Sequence, residues 1–193
     1  MANDKTKVIA GRPNPAGALY LGPTGTAIPT DETTAIGVLL LTAGYLHKDG
    51  GTLKSLREVS TEQAWGGDTV LITETKTGAE ITFTLIETLG DLANQVAYGV
   101  ANVTKVAATI STGTKVATKI GGPIDDHWAG VIDIKNGAKK VRYTWTDGQV
   151  TTMDDVTFKD DSSVGYKITI SLLKDSAGFY AYRYSDDGVF SAV

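Results

Sequence analysis

No cysteine occurs in these 193 residues, and histidine occurs only twice, as His47 and His127. The first absence excludes disulfides, thiolate zinc sites, iron–sulfur clusters and a cysteine nucleophile together. Long apolar runs are missing too. The longest, Ile36 to Leu41, is interrupted by Gly37 and falls far short of the ~20 residues a membrane helix needs. The opening Met1 to Pro15 is polar and basic without an apolar segment, so no signal peptide is expected and synthesis in a cytoplasm is. Basic charge is not in excess. Eighteen Lys and Arg stand against 22 Asp and Glu, for a net charge of -4, which argues against a dedicated nucleic-acid binder.

What is present points to β structure. Hydrophobic content of 41% with 21% charge is that of a globular chain. Thr, Val and Ile make up about 29% of it; these β-branched residues lose side-chain freedom in helices and pack well on a pleated sheet. The stretch 1–34 reads as an extended N-terminal arm. It holds four of the five prolines, Pro13, Pro15, Pro23 and Pro29, and proline lacks an amide donor. A short strand fits Ala18 to Gly22 and another Leu39 to Leu46. Lys48-Asp49-Gly50-Gly51 reads as a turn, and His47 to Gly67 as a polar loop with few apolar anchors.

From Asp68 onward alternation sets in. Val70 and Ile72 lead, then Ile81, Phe83 and Leu85 share one face, with Glu80, Thr82 and Thr84 on the other. Lys76-Thr77-Gly78 reads as a hairpin loop between the two runs. Leu89 to Tyr98 is the one helix candidate, with Thr88 as N-cap, Leu89, Leu92, Ala93, Val96 and Ala97 as its stripe, and Gly99 as its stop. Short strands return at Ala129 to Lys135, Lys139 to Thr146 and Gln149 to Lys159, with Asn136-Gly137 and Asp147-Gly148 as hairpin turns. Tyr166 to Leu172 and Phe179 to Tyr184 complete the set. We expect one domain over 1–193, with a β core from 35 to 193. Its class is mainly β: a two-sheet sandwich or barrel with one flanking helix, an extended arm and long loops.

No catalytic set emerges. Asp125-Asp126-His127-Trp128 lacks a second histidine at ligand spacing. The pairs Asp125-Asp126, Asp154-Asp155, Asp160-Asp161 and Asp186-Asp187 do not fit a calcium loop and read as turns. Gly22-Pro23-Thr24-Gly25-Thr26 has no lysine in the phosphate-binding position. Tyr180, Tyr182 and Tyr184 with Trp65, Trp128 and Trp145 offer either a sugar platform or core and interface. Not an enzyme, with no cofactor and no metal, is the reading of the residues.

Several stretches carry a resemblance. They are Gly11-Arg12-Pro13-Asn14-Pro15-Ala16-Gly17-Ala18-Leu19-Tyr20, Gly25-Thr26-Ala27-Ile28-Pro29-Thr30-Asp31 and Ala43-Gly44-Tyr45-Leu46-His47-Lys48-Asp49-Gly50. Further along come Ala64-Trp65-Gly66-Gly67-Asp68, Phe83-Thr84-Leu85-Ile86-Glu87-Thr88 and Gly148-Gln149-Val150. In order and spacing, over roughly 11 to 188, the chain resembles the major tail (tail tube) proteins of siphovirus-type long-tailed phages, especially those of actinobacteria. Where that family carries an acidic residue after the tyrosine turn, this chain has His47 and Lys48.

The resemblance implies a two-sheet β-barrel-like core with a flanking helix, of the type shared with type VI secretion tubes. It implies hexameric rings stacked into a hollow tube that conducts the genome and encloses a tape-measure protein. The partners implied are further copies of the chain, the tape-measure protein, tail tip and tail terminator proteins, and phage DNA in transit without sequence-specific binding. The chain ends at Val193, so no immunoglobulin-like decoration is expected. Lumen-facing candidates are Thr73, Thr75, Glu80, Thr82 and Thr84: hydroxyls that stay wetted and carry no charge to grip phosphate, and one carboxylate that repels it. Candidates for inter-subunit contacts are Arg12, Pro13, Tyr20, Tyr45 and Trp65. The arm and the His47–Gly67 loop are expected to be mobile in the monomer. The alternative function is a β-sandwich module binding carbohydrate or a cell-surface ligand; a hydrolase is a third and weaker one.

Overall fold

The computed structural model describes residues 3–190. Eleven strands and one α-helix follow in chain order: β1 (Leu19–Pro23), β2 (Leu41–Thr42), β3 (Leu46–Gln63), β4 (Thr69–Leu85), α1 (Asp91–Tyr98), β5 (Val103–Val106), β6 (Lys115–Thr118), β7 (Trp128–Asn136), β8 (Lys139–Trp145), β9 (Gly148–Met153), β10 (Tyr166–Leu172) and β11 (Tyr182–Asp186). Two sheets carry the core. One runs β11-β8-β7-β1-β2, the other β3-β4-β10-β9, and β5-β6 forms a separate ribbon. All pairings between these strands are antiparallel.

Alternation explains the core. Ile81, Phe83 and Leu85 of β4 and Ile168, Ile170 and Leu172 of β10 are buried, as expected for one face of each strand. They meet Leu19, Leu21, Trp128 and Trp145 from the five-stranded sheet. Trp145 lies across Gly130, its cross-strand partner; a Cβ there would stand 2.2 Å from the indole. The indole N–H donates to the Trp128 carbonyl at 3.1 Å.

Helix α1 adds Ala93, Val96 and Ala97 to the same cluster. It starts at Asp91 with Gly90 as N-cap and no side-chain cap. Thr88 is therefore not the cap, and Leu89, exposed at 93%, is not in the stripe. The polar member of the buried face is Asn94. Its amide donates to the carbonyls of Thr88 and Gly90, and its carbonyl accepts from Thr118 and Tyr166. One side chain thus closes the helix start and ties it to β6 and β10.

Four expectations are corrected. Residues 1–34 are not an arm outside the core: β1 sits inside the five-stranded sheet, with Leu19 and Leu21 fully buried. Met1 and Ala2, the first of that stretch, lie outside the described residues. Residues His47 to Gly67 are mostly strand rather than loop. The turn signal at Lys48–Gly51 is a bulge, where pairing jumps from Leu46–Leu85 to Gly51–Phe83. The hairpin loop at Lys76–Gly78 does not exist; β4 runs straight through it, and the turn lies at Ala64–Gly67. Finally, Asp147-Gly148 is a crossing rather than a hairpin. β8 stays in one sheet while β9 joins the other.

The outer face of the five-stranded sheet is covered by the segment 24–40. Arg142 on β8 is buried there against Asp133 of β7, with Nη2 3.0 Å from Oδ2 and Nε 3.2 Å from Oδ1. Its Nη1 donates to the carbonyls of Asp31 and Thr34. Asp133 also accepts from the Asn14 side chain at 2.9 Å. A buried charge needs this many partners to offset its lost hydration. The Asp31 carboxylate itself caps the turn after it. The Thr34 hydroxyl, then the Thr34 amide and Thr33, hold it well below the usual carboxylate range.

Candidate assembly surfaces

The long hairpin β3–β4 leaves the body of the molecule. From Thr69 to Thr77 every residue of β4 is exposed, a span of about 30 Å at the usual strand rise. Cross-strand ion pairs brace its lower half: Arg57 with Glu74 at 2.7 Å and Lys76 with Glu58 at 3.3 Å. At its root the Tyr180 hydroxyl donates to the Thr77 carbonyl at 2.9 Å and lies 3.1 Å from the Thr77 hydroxyl. Toward the tip, apolar side chains collect on one face instead. Thr61 faces Ile72, Val59 faces Glu74, and Val70 follows two residues before Ile72. Val59, Val70 and Ile72 therefore share one face and are exposed at 49%, 62% and 65%.

The second surface is the outer face of the four-stranded sheet. Hydroxyls dominate its centre. Thr82 and Thr169 meet at 2.8 Å across β4 and β10, and Thr151 and Ser171 at 3.0 Å across β9 and β10. Thr52 lies opposite Thr82 on β3, and Thr84 opposite Lys167 on β10. Its charges are matched: Lys167 with Asp154 at 2.6 Å, Lys54 near Glu80 at 3.9 Å. The third is the β5–β6 ribbon, a short finger standing beside α1, with Val106, Ile110 and Ile120 exposed around it. The stretch it comes from has too little alternation for strands to be read in it.

The lumen candidates fall on two of these surfaces. Glu80, Thr82 and Thr84 lie together on the hydroxyl face. Thr73 and Thr75 are on the hairpin limb, because the turn that would have brought them opposite Glu80 is absent; Thr73 faces Ser60 instead. The subunit-contact candidates are scattered. Arg12 and Pro13 run beside the end of β7, the Arg12 carbonyl accepting from the Lys135 amide and Pro13 bridging to Ile134. The Tyr20 hydroxyl donates to the Ala16 carbonyl. Tyr45 is exposed beside Glu87, whose carboxylate accepts from its amide. Trp65 stands fully exposed at the hairpin turn.

The aromatic platform is not assembled. Trp128 and Trp145 are buried, Trp65 is at the far tip, and only Tyr182 and Tyr184 stack, at 6.4 Å. The histidines are apart: His127 Nδ1 contacts Asp147 at 2.7 Å, and His47 Nδ1 contacts Asp49 at 3.0 Å. Among the described residues, no three His, Cys, Asp or Glu side chains converge as a metal site.

A search of curated proteins finds no match by sequence. Two solved structures are similar in outline. One is the tube-terminating cap of the anti-feeding prophage, with TM-score 0.42 and 11% identity, covering 96% of this chain and 100% of that one. The other is the sheath–tube complex of an extracellular contractile injection system in its extended state, with TM-score 0.39 and 8% identity over 96% and 100%. The family comparison is more direct. A model described as phage tail tube protein matches residues 1–192, and the chain belongs to that family: a structural component of the virion tail, not an enzyme.

Proposed function

We propose that copies of this chain close into hexameric rings and that the rings stack into the hollow tail tube of a siphovirus-type phage, the conduit for the genome. One observation carries this reading. The β3–β4 limb exposes a stripe of β-branched residues, Val59, Val70 and Ile72, that no other element among the described residues buries. Apolar area left in water costs about 25 cal/mol per Å² relative to burial, and an unpartnered ribbon presents strand edges as well. A second copy of the chain offers both cover and pairing. The host cytoplasm is the site of synthesis, and the tape-measure, tail tip and terminator proteins are the partners of the finished tube.

The hydroxyl face supports the bore. A conduit must not hold DNA, and each neutralised phosphate strengthens binding through counterion release. Thr52, Thr82, Thr84, Thr151, Thr169 and Ser171 are wetted and neutral, and the lysines beside them have acidic neighbours. The face therefore suits a lining, with Glu80, Thr82 and Thr84 in it and Thr73 and Thr75 on the limb.

The test is negative-stain imaging of the purified chain across concentration and salt, alone and seeded with tail tips. Rings and tubes are expected. Val59→Asp with Ile72→Asp should abolish them and leave a folded monomer. A wild-type chain that stays monomeric under every condition refutes the reading and favours a monomeric binding module.

A further inference from the structure

The two ribbons that leave the body of this chain complement each other. The outer part of the long limb, residues 59–73, contains Glu62 and Asp68 and no lysine or arginine. Its stripe is Val59, Val70 and Ile72. The β5–β6 finger has the opposite sign. Residues 92–124 contain Lys105, Lys115 and Lys119 and no acidic residue. Lys105 is bound to Asp91 at 3.0 Å. Lys115 and Lys119 make no ion pair among the described residues. The finger also exposes Val106, Ile110 and Ile120, at 55%, 108% and 79%. A two-stranded ribbon alone is marginal in water, so both gain by being covered.

We propose that the outer limb of the β3–β4 hairpin of one copy docks on the β5–β6 finger of a second copy. Val59, Val70 and Ile72 pack on Val106, Ile110 and Ile120, with Asp68 at the turn facing Lys115 and Lys119; Glu62, opposite Leu71 on the reverse face of the ribbon, adds to the limb's negative charge without entering the contact. The inference rests on the self-assembly reading above and names the surfaces that join the copies. Exposed ion pairs add little affinity; they set partner choice and register, and the apolar contact supplies the hold. Limb and finger are different surfaces of one chain, so the contact is heterologous. Such contacts repeat from copy to copy and close a ring when the rotation allows it. A limb of about 30 Å reaches beyond its own body to do so.

The test is a charge exchange. Glu62→Lys with Asp68→Lys reverses the limb, and Lys115→Glu with Lys119→Glu reverses the finger. Thermal melts of the monomers should match wild type. Each double variant alone should raise the concentration needed for assembly by about tenfold or more, read by light scattering and imaging. An equimolar mixture of the two should recover assembly, because each limb then meets a finger of opposite sign on the other variant. A second readout uses the absence of native cysteine. Thr61→Cys and Thr112→Cys chains, mixed and oxidised during assembly, should give a cross-linked heterodimer. If wild type assembles while the reversed variants assemble equally well, the pairing is wrong. It is also wrong if the mixture does not recover and no Thr61–Thr112 cross-link forms. If wild type never assembles, the tube reading falls and takes the pairing with it.

Discussion

The two halves of strand β4 are alike in sequence and opposite in fate. Val70 and Ile72 in the first half share one face at period two, as Ile81, Phe83 and Leu85 do in the second, although the residue between them, Leu71, is apolar as well. Val70 and Ile72 are exposed at 62% and 65%, whereas Ile81, Phe83 and Leu85 lie between 0% and 2%. The strand is continuous and its partner β3 is the same throughout. What changes is the third layer. Below Gly78, β10 pairs on the other side and the five-stranded sheet and α1 close over the face. Above it nothing among the described residues does. Alternation therefore reports that a face will be covered, and not by which molecule.

Two substitutions sharpen that contrast. Phe83→Ala should cost about 3–5 kcal/mol of monomer stability, the range for truncating a buried aromatic. Ile72→Ala should stay within about 0.5 kcal/mol in the monomer and weaken assembly instead. Urea unfolding of the dilute chain checks the first half of this, and light scattering the second. Equal losses of monomer stability would mean that the limb folds onto its own body and the halves do not differ.

Arg142→Met tests whether the cover of the five-stranded sheet belongs to the chain itself. The substitution leaves the Asp133 carboxylate buried with Asn14 as its remaining side-chain partner, and it frees the carbonyls of Asp31 and Thr34. Breaking a buried pair from one side costs about 3–5 kcal/mol. Unfolding in urea should show that loss. Hydrogen exchange should show the segment 24–40 opening first. A melt within experimental error of wild type would mean that this cover, like that of the limb, comes from elsewhere.

Much of this architecture was legible. The buried faces of β4 and β10, the span of β1 and the stop of α1 at Gly99 follow from local chemistry, period-two alternation and a glycine with φ of 90°; the Asn136-Gly137 signal marks the right hairpin, but Asn136 pairs with Lys139 and the turn residues are Gly137 and Ala138. The misreadings have one cause. Lys76-Thr77-Gly78 and Asp147-Gly148 carry turn composition, yet tertiary pairing holds the first extended against Arg57 and Leu56 and uses the second to change sheets. Residues His47 to Gly67 lack apolar anchors because their strand is exposed on both faces for most of its length, so the pattern that marks a half-buried strand never forms. Of the candidate residues, Glu80, Thr82 and Thr84 were brought onto one surface. The finger and the Asn94 hub were missed; a lysine-only stretch of 33 residues was the available signal for the first.

A smaller effect on the folded chain than either core substitution belongs to the hydroxyl face, and there the comparison is between a wall and an outer surface. Thr82→Lys with Thr84→Lys adds two cations to a face whose charges are otherwise matched. Thr82→Lys gives up the hydroxyl contact with Thr169 and Thr84→Lys sets a cation opposite Lys167, while the core-side neighbours are untouched, so each change should cost about 1 kcal/mol or less. Tubes should still form. If the face lines the bore, the added charge of every subunit points at the passing duplex, and counterion release converts it into retention. Genome ejection should then slow, and raised salt should restore it, because the same release opposes binding at high salt. If the face is an outer surface, ejection is unchanged, and the new lysines react with a bulky amine reagent applied outside intact tubes. Reaction rate and ejection rate move in opposite directions under the two arrangements, so one pair of measurements separates them.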